Sequence, residues 1–179
     1  NPKTGAVLAC ASSPTYDIND VDDILAQAAS GTDTTNGALI NRATSAVYAP
    51  GSTFKLVTLT ALIEGNLATP STTVDAPAQM TIGNASVTNA DDIGYGTITL
   101  AQALAVSSNT AFGQFGEEVG SDLLVKTAQK FGFSSAIDTD IPTTASLMPD
   151  PDEMTTWETA WAACGQPVGE HASPAGPQA

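Results

Sequence analysis

Apolar and polar stretches alternate along the first part of the chain and predict a strand followed by a surface segment. Residues 6–11 are an apolar run of strand length closed by a Ser-Ser-Pro turn, so we predict that the chain begins in a sheet. Residues 17–37 are polar and rich in Asp, Thr and Gly, with a weak helix predicted over 22–29 and closed by Ser30-Gly31. We expect this segment to lie on the surface.

The middle of the chain is dominated by predicted helices. An apolar run follows Pro50-Gly51, continues to about Glu64 and stops at Gly65-Asn66, a common helix ending. Thr99 and Gln102 have the spacing of a capping box. The remaining elements are predicted as short strands and loops over 70–96, and as helices from Thr99 to about Val106, from about Thr110 to Gly120, from Ser121 to Gly132 and over 157–164.

The helix after Gly51 is apolar nearly all the way round, which predicts burial on every side, yet it contains Lys55. None of the residues one turn away from Lys55 is acidic, and burial of an unpaired ammonium group lowers the pKa of that group. Ser52 precedes Lys55 by three positions, so the two side chains share a helix face. A neutral lysine beside a serine is a general base beside a nucleophile. An N-cap serine and a lysine that extends to solvent fit the same four residues.

Composition narrows the class of protein. The chain has 179 residues, 42% hydrophobic and 13% charged, enough for a sizeable core in one domain or part of a larger one. Nineteen acidic residues against five basic ones give a net charge of −14, which disfavours nucleic acid as a partner. With only five cations in the chain, a lysine inside an apolar helix needs a chemical reason.

Cysteine and histidine are scarce. Two cysteines and one histidine form no cluster with metal-ligand spacing, so no metal site is expected. Cys10 and Cys164 fit either a disulfide or two buried free thiols. A serine-histidine-aspartate triad depends on the single His171. No apolar run is long enough to cross a membrane and no signal sequence opens the chain, so we expect any anchor to lie outside it.

A second polar motif, Ser107-Ser108-Asn109, lies at a predicted junction between helices. A hydroxyl can relay a proton to a leaving group, and a carboxamide can hold a peptide carbonyl. The same tripeptide also fits a polar hinge in which Asn109 bonds to nearby backbone.

Together and in this order, the two motifs resemble those of the penicillin-binding protein transpeptidases, within the serine acyl-transferase and serine β-lactamase superfamily. The surrounding sequence is similar to that family along most of the chain. The similar segments are Asn1 to Ala9, Ser13 to Asp17, Asn41 to Ala43, Tyr48 to Lys55, Tyr95-Gly96, Leu100 to Leu104, Ser107 to Phe112 and Lys130 to Phe133.

The resemblance implies a role for each motif residue. Ser52 would be the nucleophile acylated by a D-alanyl-D-alanine stem peptide or a β-lactam, and Lys55 the base that activates it. Ser107 would pass the proton to the departing amine, and Asn109 would bind the substrate amide. An amino group of a second stem peptide would then attack the acyl-enzyme, and the Ser52 backbone N–H would supply half of the oxyanion hole. No cofactor is implied.

The implied fold is α/β (α+β): an antiparallel sheet and a helical subdomain, with the active-site cleft between them. The family's third motif, lysine-serine/threonine-glycine, is absent after Asn109, and Lys3-Thr4-Gly5 has this pattern but precedes the nucleophile. We therefore expect residues 1–179 to be the N-terminal and central part of one transpeptidase domain, without the C-terminal part of its sheet. Residues 176–179 look like the approach to a further helix. Gly165-Gln166-Pro167 departs from the glycine-glutamine-glycine of many relatives, without expected loss of the nucleophile.

Other functions share the same serine and lysine. A serine β-lactamase also needs a base for water, and no glutamate here falls in a recognisable deacylation motif. A β-lactam sensor and an inactive piece of the transpeptidase are further alternatives, and cross-linking is not separated from carboxypeptidase action. The resemblance places the parent protein on the outer face of the bacterial cell membrane, anchored upstream, with cell-wall synthesis proteins as candidate partners.

Overall fold

The computed structural model describes residues 1–32 and 37–168 and divides them into two compact units. The first unit consists of Asn1–Val47 and Ala136–Thr144. The second consists of Tyr48–Ser135 and the described residues from Ala145 onward. The four candidate site residues, Ser52, Lys55, Ser107 and Asn109, all lie in the second unit. His171, Glu170 and the terminal residues 176–179 lie outside the described residues.

The first unit contains a 3₁₀ turn, Ile18–Asp20, and two helices, α1 (Val21–Ala29) and α2 (Arg42–Ser45). The predicted helix over 22–29 is confirmed, and it ends at Ser30 before Gly31, which has a positive φ of 70°. The Asp17 carboxylate accepts from the Asn19 N–H and starts the turn that leads into α1.

The predicted opening strand is wrong. Residues 6–11 form no strand and are all exposed, with Val7 at 68% and Leu8 at 80%. A strand needs a neighbouring edge to accept its backbone hydrogen bonds, and no segment in the described ranges pairs with this one. Within the described residues, the apolar side chains of this run therefore pack into neither a sheet nor a core.

The second unit begins its regular structure with a 3₁₀ turn, Gly51–Phe54, that continues directly into helix α3, Lys55–Glu64. Asn66 adopts a left-handed φ of 55° just past the helix. The Asn66 N–H donates to Ile63 O and the Leu67 N–H donates to Leu62 O, which satisfies the last carbonyls in a Schellman motif. The predicted ending of this helix is confirmed, but Ser52 lies in the tighter turn before it.

Four short strands follow α3; three of them confirm the strands predicted over 70–96, and the fourth begins at Gly96 and extends beyond the predicted range. They form two antiparallel pairs, β1 (Thr73–Ala76) with β4 (Gly96–Thr99) and β2 (Gln79–Ile82) with β3 (Ala85–Thr88). Helix α4, Leu100–Ala105, starts at the predicted capping box of Thr99 and Gln102. The sequence therefore located both the strands and the cap that ends them.

Two longer helices complete the unit. Helix α5, Asn109–Lys130, is broken at Gly120, whose φ of 75° and ψ of 160° are not helical, and this break confirms the two helices predicted on either side of Gly120. Helix α6, Thr156–Ala163, matches the predicted helix within one residue at each end and starts at a second capping box, formed by Thr155 and Glu158. None of the helices in the described ranges has both the length and the apolar character needed to cross a bilayer.

Helices α3, α5 and α6 enclose the core of the second unit, which includes the fully buried Leu62 and Phe112. One side of α3 is buried, including Lys55, but Leu56 is 53% and Ile63 46% exposed. The prediction that this helix is buried on every side is therefore wrong within the described structure. Both cysteines are free; Cys164 is buried, whereas Cys10 is exposed, so only one of them matches the prediction of two buried thiols.

Candidate active site

Ser52 and Lys55 lie on the same side of the turn that opens α3. Ser52 is exposed, whereas Lys55 is only 1% exposed. The Lys55 Nζ lies within hydrogen-bond distance of Ser52 Oγ, at 3.3 Å. An accessible hydroxyl thus lies next to an amine that is sheltered from water. The lysine that reaches solvent, the alternative interpretation of this motif, is excluded by the burial of Lys55.

The Ser107-Ser108-Asn109 segment lies directly against this amine. The Lys55 Nζ donates to Ser107 O and to Asn109 Oδ1, both at 2.7 Å, and it lies 2.9 Å from Ser107 Oγ. The Ser107 hydroxyl in turn donates to Ser52 Oγ at 2.9 Å. The structure therefore brings all four predicted site residues together around one nitrogen atom.

The backbone of Ser107 is held in the left-handed region, with a φ of 55°. This residue follows α4, where its N–H donates to Leu104 O, and precedes Ser108, whose side chain caps α5 by accepting from the Ala111 N–H. A non-glycine residue in this region carries a cost that its surroundings must offset. The contacts of the Ser107 carbonyl and hydroxyl with Lys55 are part of that compensation.

Asn89, which the sequence analysis did not single out, holds Ser108 and Thr110 in place through its side chain. Its Oδ1 accepts from the Ser108 hydroxyl and from the Thr110 N–H, both at 3.0 Å. Its Nδ2 donates to Pro77 O at 3.0 Å and to Ile93 O at 2.8 Å. The sequence signal was a single asparagine in a turn-prone stretch, which by itself does not identify a partner.

The Asn109 side chain is fixed on its other side by β3. Its Nδ2 donates to Thr88 O at 2.9 Å, while its Oδ1 accepts from Lys55 at 2.7 Å. Both ends of the carboxamide therefore have partners, which sets its orientation. The polar-hinge interpretation describes the Thr88 contact, but it does not account for the bond to a buried amine.

Burial lowers the pKa of Lys55 below its ordinary value of 10.5, in the direction that the sequence predicts. Its hydrogen-bond partners are neutral, and the Phe112 ring lies 5.5 Å from Nζ. A neutral amine has two N–H groups and one lone pair. Two of its neighbours, Ser107 O and Asn109 Oδ1, can only accept, so they take both N–H groups and leave the lone pair for a hydroxyl.

Within the described part of the chain, no three His, Cys, Asp or Glu side chains are grouped as a metal site. His171 lies outside the described residues, so the structure does not test the serine-histidine-aspartate triad. The chemistry that the geometry supports is proton transfer between two hydroxyls and one amine at an exposed serine.

The chain is similar to known proteins in both sequence and structure. The family described as penicillin binding protein transpeptidase domain matches residues 1–174. The peptidoglycan D,D-transpeptidase PbpA of Mycolicibacterium smegmatis is 36% identical over 144 residues, 75% of this chain and 29% of that relative. Among solved structures, the D,D-transpeptidase domain of a peptidoglycan glycosyltransferase from Eggerthella lenta has a TM-score of 0.82 and 46% identity, over 97% of this chain and 42% of its own.

A structure of penicillin-binding protein A from Mycobacterium tuberculosis, solved as a penicillin G acyl-enzyme complex, has a TM-score of 0.78 and 31% identity. It aligns over 93% of this chain and 40% of its own. The chain belongs to the penicillin-binding protein transpeptidase family, and its fold is the α/β fold of that family's transpeptidase domains. It spans less than a third of the length of the curated relative named above.

Proposed function

We propose that the protein to which these residues belong is a serine-type peptidoglycan D,D-transpeptidase that is acylated and inhibited by β-lactams. The observation that carries the proposal is the position of Lys55 Nζ, buried and within hydrogen-bond distance of Ser52 Oγ, Ser107 Oγ and Asn109 Oδ1. Membership in the transpeptidase family and the D,D-transpeptidase names of its relatives support it.

In the proposed acylation step, Ser52 Oγ attacks the carbonyl carbon of the penultimate D-alanine. Its proton moves to the Lys55 lone pair directly, or through Ser107, whose Oγ lies 2.9 Å from both atoms and accepts the Ser52 proton as its own proton passes to Lys55. The Ser52 N–H lies in the first turn of a helix, where N–H groups lack intrahelical partners, and it serves as one donor to the developing oxyanion.

Acylation is complete when the bond to the terminal D-alanine breaks, and this residue leaves as an amine that takes its proton through Ser107 Oγ. Asn109 holds the amide of the substrate beside the Lys55 amine. The acyl-enzyme then passes its acyl group to an amino group of a second stem peptide, which restores the Ser52 hydroxyl and forms the cross-link. A β-lactam follows the first half alone, because its leaving amine remains tethered to the acyl group.

We further propose that residues 1–179 are the N-terminal and central part of one transpeptidase domain. The aligned part is 42% of the solved Eggerthella lenta chain, and the lysine-serine/threonine-glycine motif is absent after Asn109. Leu56 and Ile63 on α3 are exposed apolar side chains that a further layer of the domain would cover. The parent protein acts on stem peptides outside the cytoplasmic membrane, where peptidoglycan lies.

Intact-mass spectrometry after exposure to a penicillin tests the proposal. The full-length protein is expected to gain one penicillin mass, mapped by peptide digestion to Ser52. The adduct should be absent in Ser52→Ala and retained in Ser71→Ala, which changes an exposed serine outside the site. An adduct on another residue, or none in the full-length protein, contradicts the proposal.

The lifetime of the adduct separates a transpeptidase from a serine β-lactamase. Hydrolysis of the acyl-enzyme needs a base beside the ester, and the described Glu117, Glu118 and Glu153 are exposed on the surface. The adduct is therefore expected to persist through many minutes of incubation. The protein should not hydrolyse the β-lactam catalytically. A stem-peptide donor with an acceptor amine then yields the cross-linked product in the full-length protein.

A further inference from the structure

The turn that ends α6 contacts two of the segments that carry the candidate active site. The carbonyl of Ala163 accepts from the Thr58 hydroxyl at 2.9 Å, one turn beyond Lys55 on α3. The next residue, Cys164, donates from Sγ to the Asn109 carbonyl at 3.3 Å, and the Ala160 carbonyl lies at 3.4 Å from the same sulfur. One short turn thus bonds both to the lysine helix and to the backbone of the carboxamide residue.

The third residue of this turn, Gly165, contacts the segment that carries the nucleophile. Its carbonyl accepts from the N–H of Gly51 at 2.9 Å, immediately before Ser52. Gly165 has a left-handed φ of 83°, and a Cβ at this position would overlap the Gly51 carbonyl. The two backbones therefore meet without space for a side chain at Gly165.

Close packing of α6 against α5 makes this turn a firm support. Gly116 on α5 faces the end of α6, and a Cβ at Gly116 would overlap the Ala163 side chain. The Ala160 and Ala163 side chains are fully buried. A helix held this closely has little freedom to follow a displaced neighbour.

The Cys164 thiol is suited to this place because it remains protonated. Burial raises its pKa to about 12, so its S–H is available as a donor at neutral pH. A thiolate here would favour the ammonium form of Lys55, whereas a thiol adds no charge. The side chain thereby contributes a contact without opposing the neutral amine.

We propose that the turn 163–165 is a positioning element that fixes the Ser52 segment and the Asn109 segment relative to each other, with Gly165 as a positioning residue for acylation of Ser52. Ala163, Cys164 and Gly165 each hold a different part of the site, so a shift of the turn misaligns the nucleophile with the substrate-binding amide. The inference rests on the proposed function, because it is measured through acylation.

The first test compares Gly165→Ala with Gly132→Ala in the full-length protein. Gly165 and Gly132 end α6 and α5 in the same Schellman pattern of backbone hydrogen bonds. Gly132 has a φ of 95°, but a Cβ there meets nothing within 4 Å. Both variants carry the backbone cost of a left-handed alanine, and only Gly165→Ala pushes on Gly51. Stopped-flow acylation by a fluorescent penicillin gives the dissociation constant of the non-covalent complex and the limiting acylation rate.

The limiting rate is expected to fall at least about tenfold in Gly165→Ala relative to Gly132→Ala, because small misplacements of a reacting group slow the chemical step strongly. The dissociation constant should change less than about twofold, since the binding surface is retained. Equal limiting rates in the two variants overturn the proposal. If penicillin labels the wild type but Ser52→Ala is labelled equally, the proposed function fails instead, so the two failures are distinguishable.

The second test keeps the inference falsifiable if Gly165→Ala does not fold. Cys164→Ala removes the donor to Asn109 O, whereas Cys164→Ser keeps a donor of similar size. The limiting acylation rate is expected to fall several-fold in Cys164→Ala and to return to within about twofold of wild type in Cys164→Ser. Equal rates in the two variants show that the contact has no positioning role.

Discussion

At the scale of single residues, the state of one proton decides what the candidate site can do. Lys55 Nζ has two acceptor-only partners, Ser107 O and Asn109 Oδ1, which match the two N–H groups of a neutral amine. The protonated amine would donate its third hydrogen to a serine hydroxyl and could accept nothing from Ser52. Activation of Ser52 therefore requires deprotonation of Lys55, which burial favours.

We expect the acylation rate of the full-length protein to rise with pH as Lys55 loses its proton. The pKa of Lys55 is lowered by burial, so the rise should be centred below 10.5, the ordinary value for lysine. The limiting rate of penicillin acylation measured from pH 5 upward checks this expectation. A rate that falls with increasing pH, or a midpoint at the ordinary value, contradicts the role of Lys55 as the base.

The same pKa shift predicts a pH-dependent difference in stability between wild type and Lys55→Met. Between the lowered pKa of folded Lys55 and 10.5, the unfolded chain binds more protons than the folded one. The free energy of unfolding of the wild type should therefore increase relative to that of Lys55→Met as pH rises, by at most about 1.4 kcal/mol per pH unit. Urea unfolding of both proteins at several pH values measures the difference; a constant difference shows that the lysine has an ordinary pKa.

The roles proposed for residues were accessible from the sequence only where the chemistry was local. Ser52 and Lys55 are three positions apart, so their spacing suggested a nucleophile beside a base, whereas the resemblance to the transpeptidase family joined this pair with Ser107 and Asn109. Asn89 and Gly165 are separated in sequence from the groups they hold. No propensity or period links Gly165 to Gly51, so only the folded structure shows their contact.

At the scale of elements, two helix ends were predicted correctly from local sequence. The capping box of Thr99 and Gln102 and the stop at Gly65-Asn66 satisfy backbone groups through neighbouring residues, so the sequence contains the whole interaction. The run over 6–11 failed because a strand depends on a partner that no local pattern specifies. The break at Gly120 was also predicted, because glycine readily adopts the non-helical backbone that the structure shows there.

The Asn89 side chain connects the loops around the short strands with the start of α5. Its truncation should therefore destabilise both regions. Asn89→Ala removes the acceptor of the Ser108 hydroxyl and the Thr110 N–H, and the donor to two carbonyls. Buried groups left without partners cost about 1–3 kcal/mol in the free energy of unfolding.

Urea unfolding of Asn89→Ala checks the loss, and penicillin acylation of the same variant should slow because Ser107 and Asn109 flank the released Ser108. The matched control is Asn84→Ala, which changes an exposed asparagine in the turn between β2 and β3 and should leave both measurements within error. Equal effects of the two substitutions contradict the connecting role of Asn89.

At the scale of the whole molecule, one apolar face of the lysine helix is uncovered. Leu56 and Ile63 lie seven positions apart on the same side of α3 and are 53% and 46% exposed, whereas Leu62 is fully buried. An exposed apolar face on a core helix marks a surface that another element covers. It agrees with the proposal that residues 1–179 form only part of a domain.

We therefore expect the double variant Leu56→Ala, Ile63→Ala to affect residues 1–179 and the full-length protein differently. Side chains that are already exposed lose little on truncation, so residues 1–179 should unfold within about 0.5 kcal/mol of their wild type. In the full-length protein the same side chains should be buried, and each truncation should cost about 2–5 kcal/mol. Leu62→Ala, at a site buried in both forms, should destabilise both and serves as the control. Equal small losses from the double variant in both forms would show that this face stays exposed in the parent protein.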